Sequence, residues 1–302
     1  MRIKNRLYLY IIIFVPLFGY AQMAEYNHFP AMKPSHILDE QLTNISFAFG
    51  MRVLESNYNG PLVRLRRDSD NAEQDFGWGD NDIVDVNAIN AWRAGSNIYI
   101  HTWYDQSGVG RDAIQTDTSR QPRFYPDVTK PYFQGDGSDD HLTIDTLNGI
   151  QDVTNNGDEG TVLAVMQATS KSQHTFGVLT DSDRWSTHIN WGNNNVYFDP
   201  GICCNDPRDF VNGNNVGQWI HYIFMKTNTH TIARANGIEK FNGTHTKGKC
   251  TRTEDFAIGW ATGNQEGYHA TTKFLEFIMY RFDISSVQYT EIENNAMIFW
   301  SL

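Results

Sequence analysis

YFQGDGSDDHL (132–142), TVLAVMQA (161–168) and HINWGNNNVYFDPGICCNDPRDF (188–210) are the segments whose reading sets the fold class. Tyr, Phe, Val and Ile recur between corners of Gly, Asn and Asp, the pattern of strands with one packed and one wet face. Further strands are expected at 141–145, 174–180, 186–191, 196–200, 218–226, 229–235, 255–260 and 273–281. Their number and the spacing of their turns predict a mainly β chain. The expected form is a two-sheet antiparallel jelly-roll sandwich, with one or two short N-terminal helices.

Upstream, Leu42, Ile45, Phe49 and Val53 recur near a helical period, so residues 42–55 read as a helix stopped by NYNGP (57–61). LVRLRR (62–67) is a strand whose arginines face the acids of SDNAEQDF (69–76). A second short helix is expected over 82–92, and the strand IYIHTWY (98–104) runs into the turn DQSG (105–108). Residues 290–299 read as a closing helix or packed tail.

Arg2, Lys4 and Arg6 precede a short apolar run over 7–18, the form of a signal peptide ending at residue 21. The run is shorter than the roughly 20 residues that span a bilayer, although a retained anchor is the alternative. An extended lead-in over 22–40 and one sandwich domain over 41–302 would follow. Such a chain is expected to be secreted or periplasmic, without stable membrane insertion. Removing the signal takes the formal charge from −11 to −14. That acidity argues against nucleic acid and favours an extracellular glycan.

Cys203, Cys204 and Cys250 are the disulfide candidates in an oxidising compartment. Either Cys250 pairs with one of the adjacent two, or those two close on each other. No nucleophile elbow, phosphate loop or HExxH motif occurs. Glycan cleavage, which needs two facing carboxylates, leaves Glu266, Asp199 and Asp206 as catalytic candidates, with Asp181, Asp183 and Asp209 behind them. Glu276, if buried, needs a partner or a raised pKa. Trp185, His188, Asn190, Trp191 and Tyr197 are the candidate ligand contacts, since sugar rings stack on aromatics and hydrogen-bond to amides. Asp105 joins them as a turn organiser within reach of a ligand. No cofactor is required, and Asp136, Asp139 and Asp140 offer a place for structural calcium.

Three segments resemble the catalytic domain of the α-L-arabinofuranosidase B family: GPLVRLRRDSDNAEQDF (60–76), TWYDQSGVGRDA (102–113) with QPRF after it, and the adjacent Cys203 and Cys204. IGWATGNQEGYHATTKFLEFIMYRF (258–282) is similar to the closing strands of laminin-G-like and concanavalin-like lectin sandwiches, and WGNNNVYFDPGICC to another segment of them. The resemblance implies a β-sandwich and retaining hydrolysis of terminal α-L-arabinofuranosyl units by a Glu nucleophile and an Asp acid/base. Matched through THIN (187–190), the nucleophile position falls on Asn190. The acid/base loop reads WATGNQEG, with Glu266 close to the expected place but no Asp. An amide serves neither role. Three functions are therefore expected in turn: a glycan-binding sandwich lacking the catalytic pair, an active arabinofuranosidase that could act on arabinose-containing polysaccharide, or a laminin-G-type adhesion module.

Overall fold

The computed structural model describes residues 36–169, 174–213, 215–263 and 268–302. The expected signal peptide and nearly all of the lead-in lie outside the described residues. In chain order the early elements are β1 (Ile45–Gly50), β2 (Val63–Arg67), β3 (Glu73–Phe76), α1 (Val86–Arg93), β4 (Ile98–Trp103), β5 (Ala113–Ile114) and β6 (Arg123–Tyr125). Then come β7 (Tyr132–Gln134), β8 (Leu142–Ile144), α2 (Ile150–Val153), β9 (Gly160–Gln167), β10 (Phe176–Thr180), β11 (Asp183–His188) and β12 (Asn195–Ile202). The last are β13 (Asp209–Val211), β14 (Trp219–Lys226), β15 (His230–Ala235), β16 (Ile238–Thr244), β17 (Phe256–Ile258), β18 (Lys273–Tyr280) and α3 (Ser286–Trp300).

One run of antiparallel pairs goes β1-β18-β9-β14-β15-β16. A second goes β3-β2-β4-β5-β8-β17-β10-β11-β12-β13. The two are not separate sheets, as the sequence reading had them. β6 and β7 carry the ladder from β4 to the start of β18, so the strands form one continuous, nearly closed sheet. The runs face each other like the halves of a sandwich. Phe176 of β10 meets Phe277 of β18 edge-on at 4.9 Å, and Phe198 of β12 meets Phe224 of β14 at 5.3 Å.

β9 lies between β14 and β18, and all of GTVLAVMQ is buried. Alternate residues serve two cores. Val162, Ala164 and Met166 face the interior, while Leu163 joins Ile223, Ile278 and Ile292 in a smaller cluster under α3. Both faces are covered, which is why the sequence reads as an unbroken apolar run. α3 is capped by Ser285, whose Oγ accepts from the amide of Gln288. It is anchored by Trp300, whose indole N–H donates to Glu276. Glu276 is 2% exposed and also takes Arg52, with Nε at 2.5 Å from Oε1. The buried glutamate has the partner it needs.

The helix expected over 42–55 is a strand instead. Ile45, Phe47 and Phe49 alternate within it, and its backbone pairs with β18. The apparent helical spacing came from residues beyond the strand's ends. Its other edge is closed by the DQSG turn. Asp105 accepts from the amides of Ala48, Ser107, Gly110 and Arg111, while the amide of Gln106 donates to the Ala48 carbonyl. Among the described residues helices are few and not concentrated toward the start: α1 matches part of the expected 82–92 helix, and the longest described one, α3, lies at 286–300. β16, with its polar IEKFNGT and, among the described residues, no pairing beyond β15, was not anticipated.

Candidate functional site

β10, β11 and β12 form a meander whose alternation divides two sets of side chains. Asp181 and Ser182 make a tight turn, with Asp181 at φ 46°, a conformation that suits a short hairpin. The register sets Trp185 opposite Val178 and Pro200, and Thr187 opposite Phe176 and Phe198. These point to the core. Arg184, Ser186 and His188 have the opposite parity and meet Gly201, Asp199 and Tyr197 across the ladder.

On that second face lies a cavity of about 590 Å³. Its aromatic side holds His188 and Trp191, with ring centroids 4.4 Å apart, and Tyr197, 6.5 Å from Trp191. Arg208 stacks its guanidinium on Tyr197 at 4.4 Å. His174 lies 4.1 Å from His188 and is buried. Burial first, and then the neighbouring His188, Arg184 and His269, which oppose a second charge beside them, push its pKa down to about 2. It therefore stands in the cavity as a neutral ring with Nδ1 unbonded. Arg184, Asp181, Tyr268 and the Cys203–Cys204 disulfide complete the parts relevant to binding.

The disulfide is between the adjacent cysteines, and Cys250 is a free, buried thiol raised in pKa by that burial. A Cys250 pairing is excluded in this structure.

The carboxylates do not form a catalytic pair among the described residues. Asp199 is wholly buried, with both oxygens held by Arg208: Nε to Oδ1 at 2.8 Å and Nη2 to Oδ2 at 2.5 Å. Arg184 stands 4.0 Å and Lys247 3.9 Å from the same carboxylate. Asp199 thus organises cations and presents no oxygen to a ligand. Asp206 is exposed before the cis bond to Pro207, outside the cavity lining. Asp183 accepts from the amide and hydroxyl of Thr251, and Asp209 from Asn195. Glu266 lies outside the described residues.

Among the expected ligand contacts, His188, Trp191 and Tyr197 come together on the cavity wall. Trp185 does not. It is fully buried, edge-on to Phe198 at 5.8 Å, because its parity along β11 is that of the core. Asn190 is 3% exposed and is not part of the lining. Asp105 is committed to the edge of β1. Sequence reasoning missed His174, Arg184, Arg208 and Tyr268. The four-residue spacing of Arg184 and His188 on one strand was a usable signal, since even spacing means one face. Arg208 carried none.

Elsewhere, the carboxylate oxygens of Asp136, Asp139 and Asp140 lie within 4.8 Å of one another and could coordinate a cation. Burial and the charge of Asp136 push the Asp140 carboxyl up to about 7, so a cation there would compete with a proton. No described helix is long and apolar enough to cross a membrane.

No family model and no curated protein matches the chain. Among solved structures, an arabinofuranosidase complexed with arabinofuranosyl-α-1,2-xylobiose is similar at TM-score 0.67 and 14% identity, over 87% of this chain and 64% of that one. The fold is an arabinofuranosidase-like sandwich. A GH54 α-L-arabinofuranosidase soaked with a cyclic sulfate inhibitor is similar at TM-score 0.64 and 14% identity, over 84% of this chain and 63% of that one. A mutant of a GH54 α-L-arabinofuranosidase soaked with 4-nitrophenyl α-L-arabinofuranoside gives the same values. This chain spans a little under two thirds of the length of each of these structures.

Proposed function

We propose that this chain is an exported glycan-binding domain whose cavity on the β10–β12 meander receives a sugar from an arabinose-bearing polysaccharide. The observation that carries this reading is the wall of Trp191, Tyr197 and His188 beside Arg184 and Arg208, with Asp199 consumed by those cations. An aromatic face with polar groups at its rim matches the two sides of a sugar ring, one of C–H groups and one of hydroxyls. The Cys203–Cys204 disulfide adds an apolar surface to the same cavity. The volume lies in the usual range for small-ligand sites, roughly 300–1,000 Å³. The likeness to structures holding arabinofuranosyl compounds favours that class of sugar.

A hydrolytic reading is favoured by the fold likeness and by one feature of the cavity: Gly263 and Tyr268, which flank residues 264–267 in sequence, both line it. One experiment separates the two. The protein is incubated with 4-nitrophenyl α-L-arabinofuranoside and a panel of arabinose-bearing polysaccharides, with binding and release followed together. Binding without release is expected, and Trp191→Ala should weaken it at least tenfold with the circular dichroism unchanged. Unaltered retention by that variant would remove the cavity as the site. Release that vanishes in Glu266→Gln would establish an enzyme.

A further inference from the structure

A second cavity, of about 560 Å³, lies on the outer face of β2, β4, β6 and β7 and shares no lining residue with the first. Strand register builds it. Arg66, Tyr99, Arg123, Gln134 and Lys273 stand opposite one another in turn from β2 to β18, so they share one face. Their chain neighbours Leu65, Ile98, Phe124, Phe133 and Phe274 belong to the core, which sets that face outward. The first four of the row line the cavity, together with Gln121, Tyr125, Asp136 and Asp140. Its buried wall is fixed. Arg66, 4% exposed, gives Nε to the side chain of Gln121 at 2.6 Å and Nη1 to Asn71 at 2.8 Å, and stacks on Tyr99 at 4.8 Å. Gln121, itself buried, donates to the Gln115 carbonyl. The Gln134 amide and the hydroxyls of Tyr99 and Tyr125 differ: on half-buried side chains, they make no hydrogen bond among the described residues.

We propose that this cavity is a second carbohydrate site, receiving a neutral oligosaccharide whose further units run over Tyr125, Tyr132 and Trp219. It goes beyond the first cavity and stands whether or not that one binds sugar. The lining is mixed in what it asks of a ligand. The Arg123 guanidinium only donates and the Asp136 carboxylate only accepts, while amide and phenol do both. Asp140, pushed up to about 7 by burial and then by Asp136, accepts or donates according to its proton. A ligand dense in hydroxyl groups, each both donor and acceptor, meets all of these together. Arg66 and Arg123 share the lining with Asp68 and Asp136, so a polyanion and a polycation would each meet like charge. From Tyr125 the surface continues in half-buried rings, with Tyr132 stacked on it at 4.8 Å and Trp219 edge-on to Tyr132 at 5.7 Å. Such rings offer an apolar platform to the C–H faces of successive sugars. The wall held by Arg66 and Gln121 leaves little to order on binding.

The test is calorimetric titration of the full chain with neutral hexasaccharides from arabinan, xylan, mixed-linkage β-glucan and mannan, beside an oligogalacturonide as the anionic control. At least one neutral probe should bind the wild type. Its affinity should fall tenfold or more in both Tyr125→Ala and Gln134→Ala, while Trp191→Ala keeps a site of unchanged affinity. Thermal melts check the fold of each variant, and Gln134→Ala removes a side chain with no hydrogen bond to lose. Loss in Trp191→Ala alone, or loss of all binding in each of the three variants, would overturn a separate second site. Affinity untouched by Gln134→Ala, or no binding by any neutral probe, would overturn it as well. Tighter binding of the oligogalacturonide through Tyr125 and Gln134 would overturn the choice of a neutral ligand.

Discussion

The two faces of the β11–β12 ladder are made from the same residues in alternation and do opposite work. On the inner face Trp185 and Phe198 are fully buried and touch other rings. On the outer face Arg184, His188 and Tyr197 line the cavity. Trp185 and Trp191 sit six positions apart, in the same kind of sequence. An even spacing would keep both on one face of a continued strand, and only the end of β11 at His188 leaves one in the core and the other on the cavity wall. Aromatic content by itself therefore locates neither core nor site.

The comparison breaks most visibly at Trp185. Trp185→Ala opens a cavity between β11, β12 and Gly160, and should cost roughly 3–5 kcal/mol in urea unfolding. Trp191→Ala should move the same midpoint very little. Comparable losses in both would mean the outer face is core as well. Asp199→Asn should be next in size, at about 3 kcal/mol, because it strands Arg208 and Lys247 without their carboxylate.

Asp140 sharpens the point, since it too is a buried carboxylate but has acids for neighbours. Its folded pKa is raised from 3.8 to about 7, chiefly by burial and then by Asp136. The native state keeps a proton that the unfolded chain has already released. Its contribution is therefore full below 3.8, falls as pH rises, and is lost above about 7. Relative to Asp140→Asn, the wild type should lose stability between pH 4 and pH 7, as read from melts across that range. A flat difference would show that Asp140 is ordinary. At the site itself, Trp191→Ala should lower glycan affinity at least tenfold, which is about 1.4 kcal/mol or more. The smallest effect is expected at the exposed Arg64–Asp75 pair of β2 and β3, where Arg64→Ala should cost under about 1 kcal/mol despite its two short bonds.

Most of the strands were legible because their apolar residues alternate between turn residues, and β9 because an eight-residue apolar run is too short for most helices. β1 was misread since its flanking Leu42 and Val53 completed a false helical period. The site was half legible. His188, Trp191 and Tyr197 drew attention as aromatics near Asn and Asp. Arg208 and Tyr268 did not, because their partners come from segments far along the chain or across the ladder.

From the sequence alone came a mainly β chain, its acidic charge, the likeness to arabinofuranosidase catalytic domains, and three cysteines with an open pairing. Local periodicity and composition carry that much, since strand propensity and side-chain parity act within a few residues. Tertiary structure decided that the strands join in one continuous sheet, that the adjacent cysteines pair, and that Asp199 lies buried beneath arginines. Each of these depends on long-range approach. Whether an aspartate is a free acid or the anchor of a cation cluster is set by which distant side chains its strand register brings within about 4 Å.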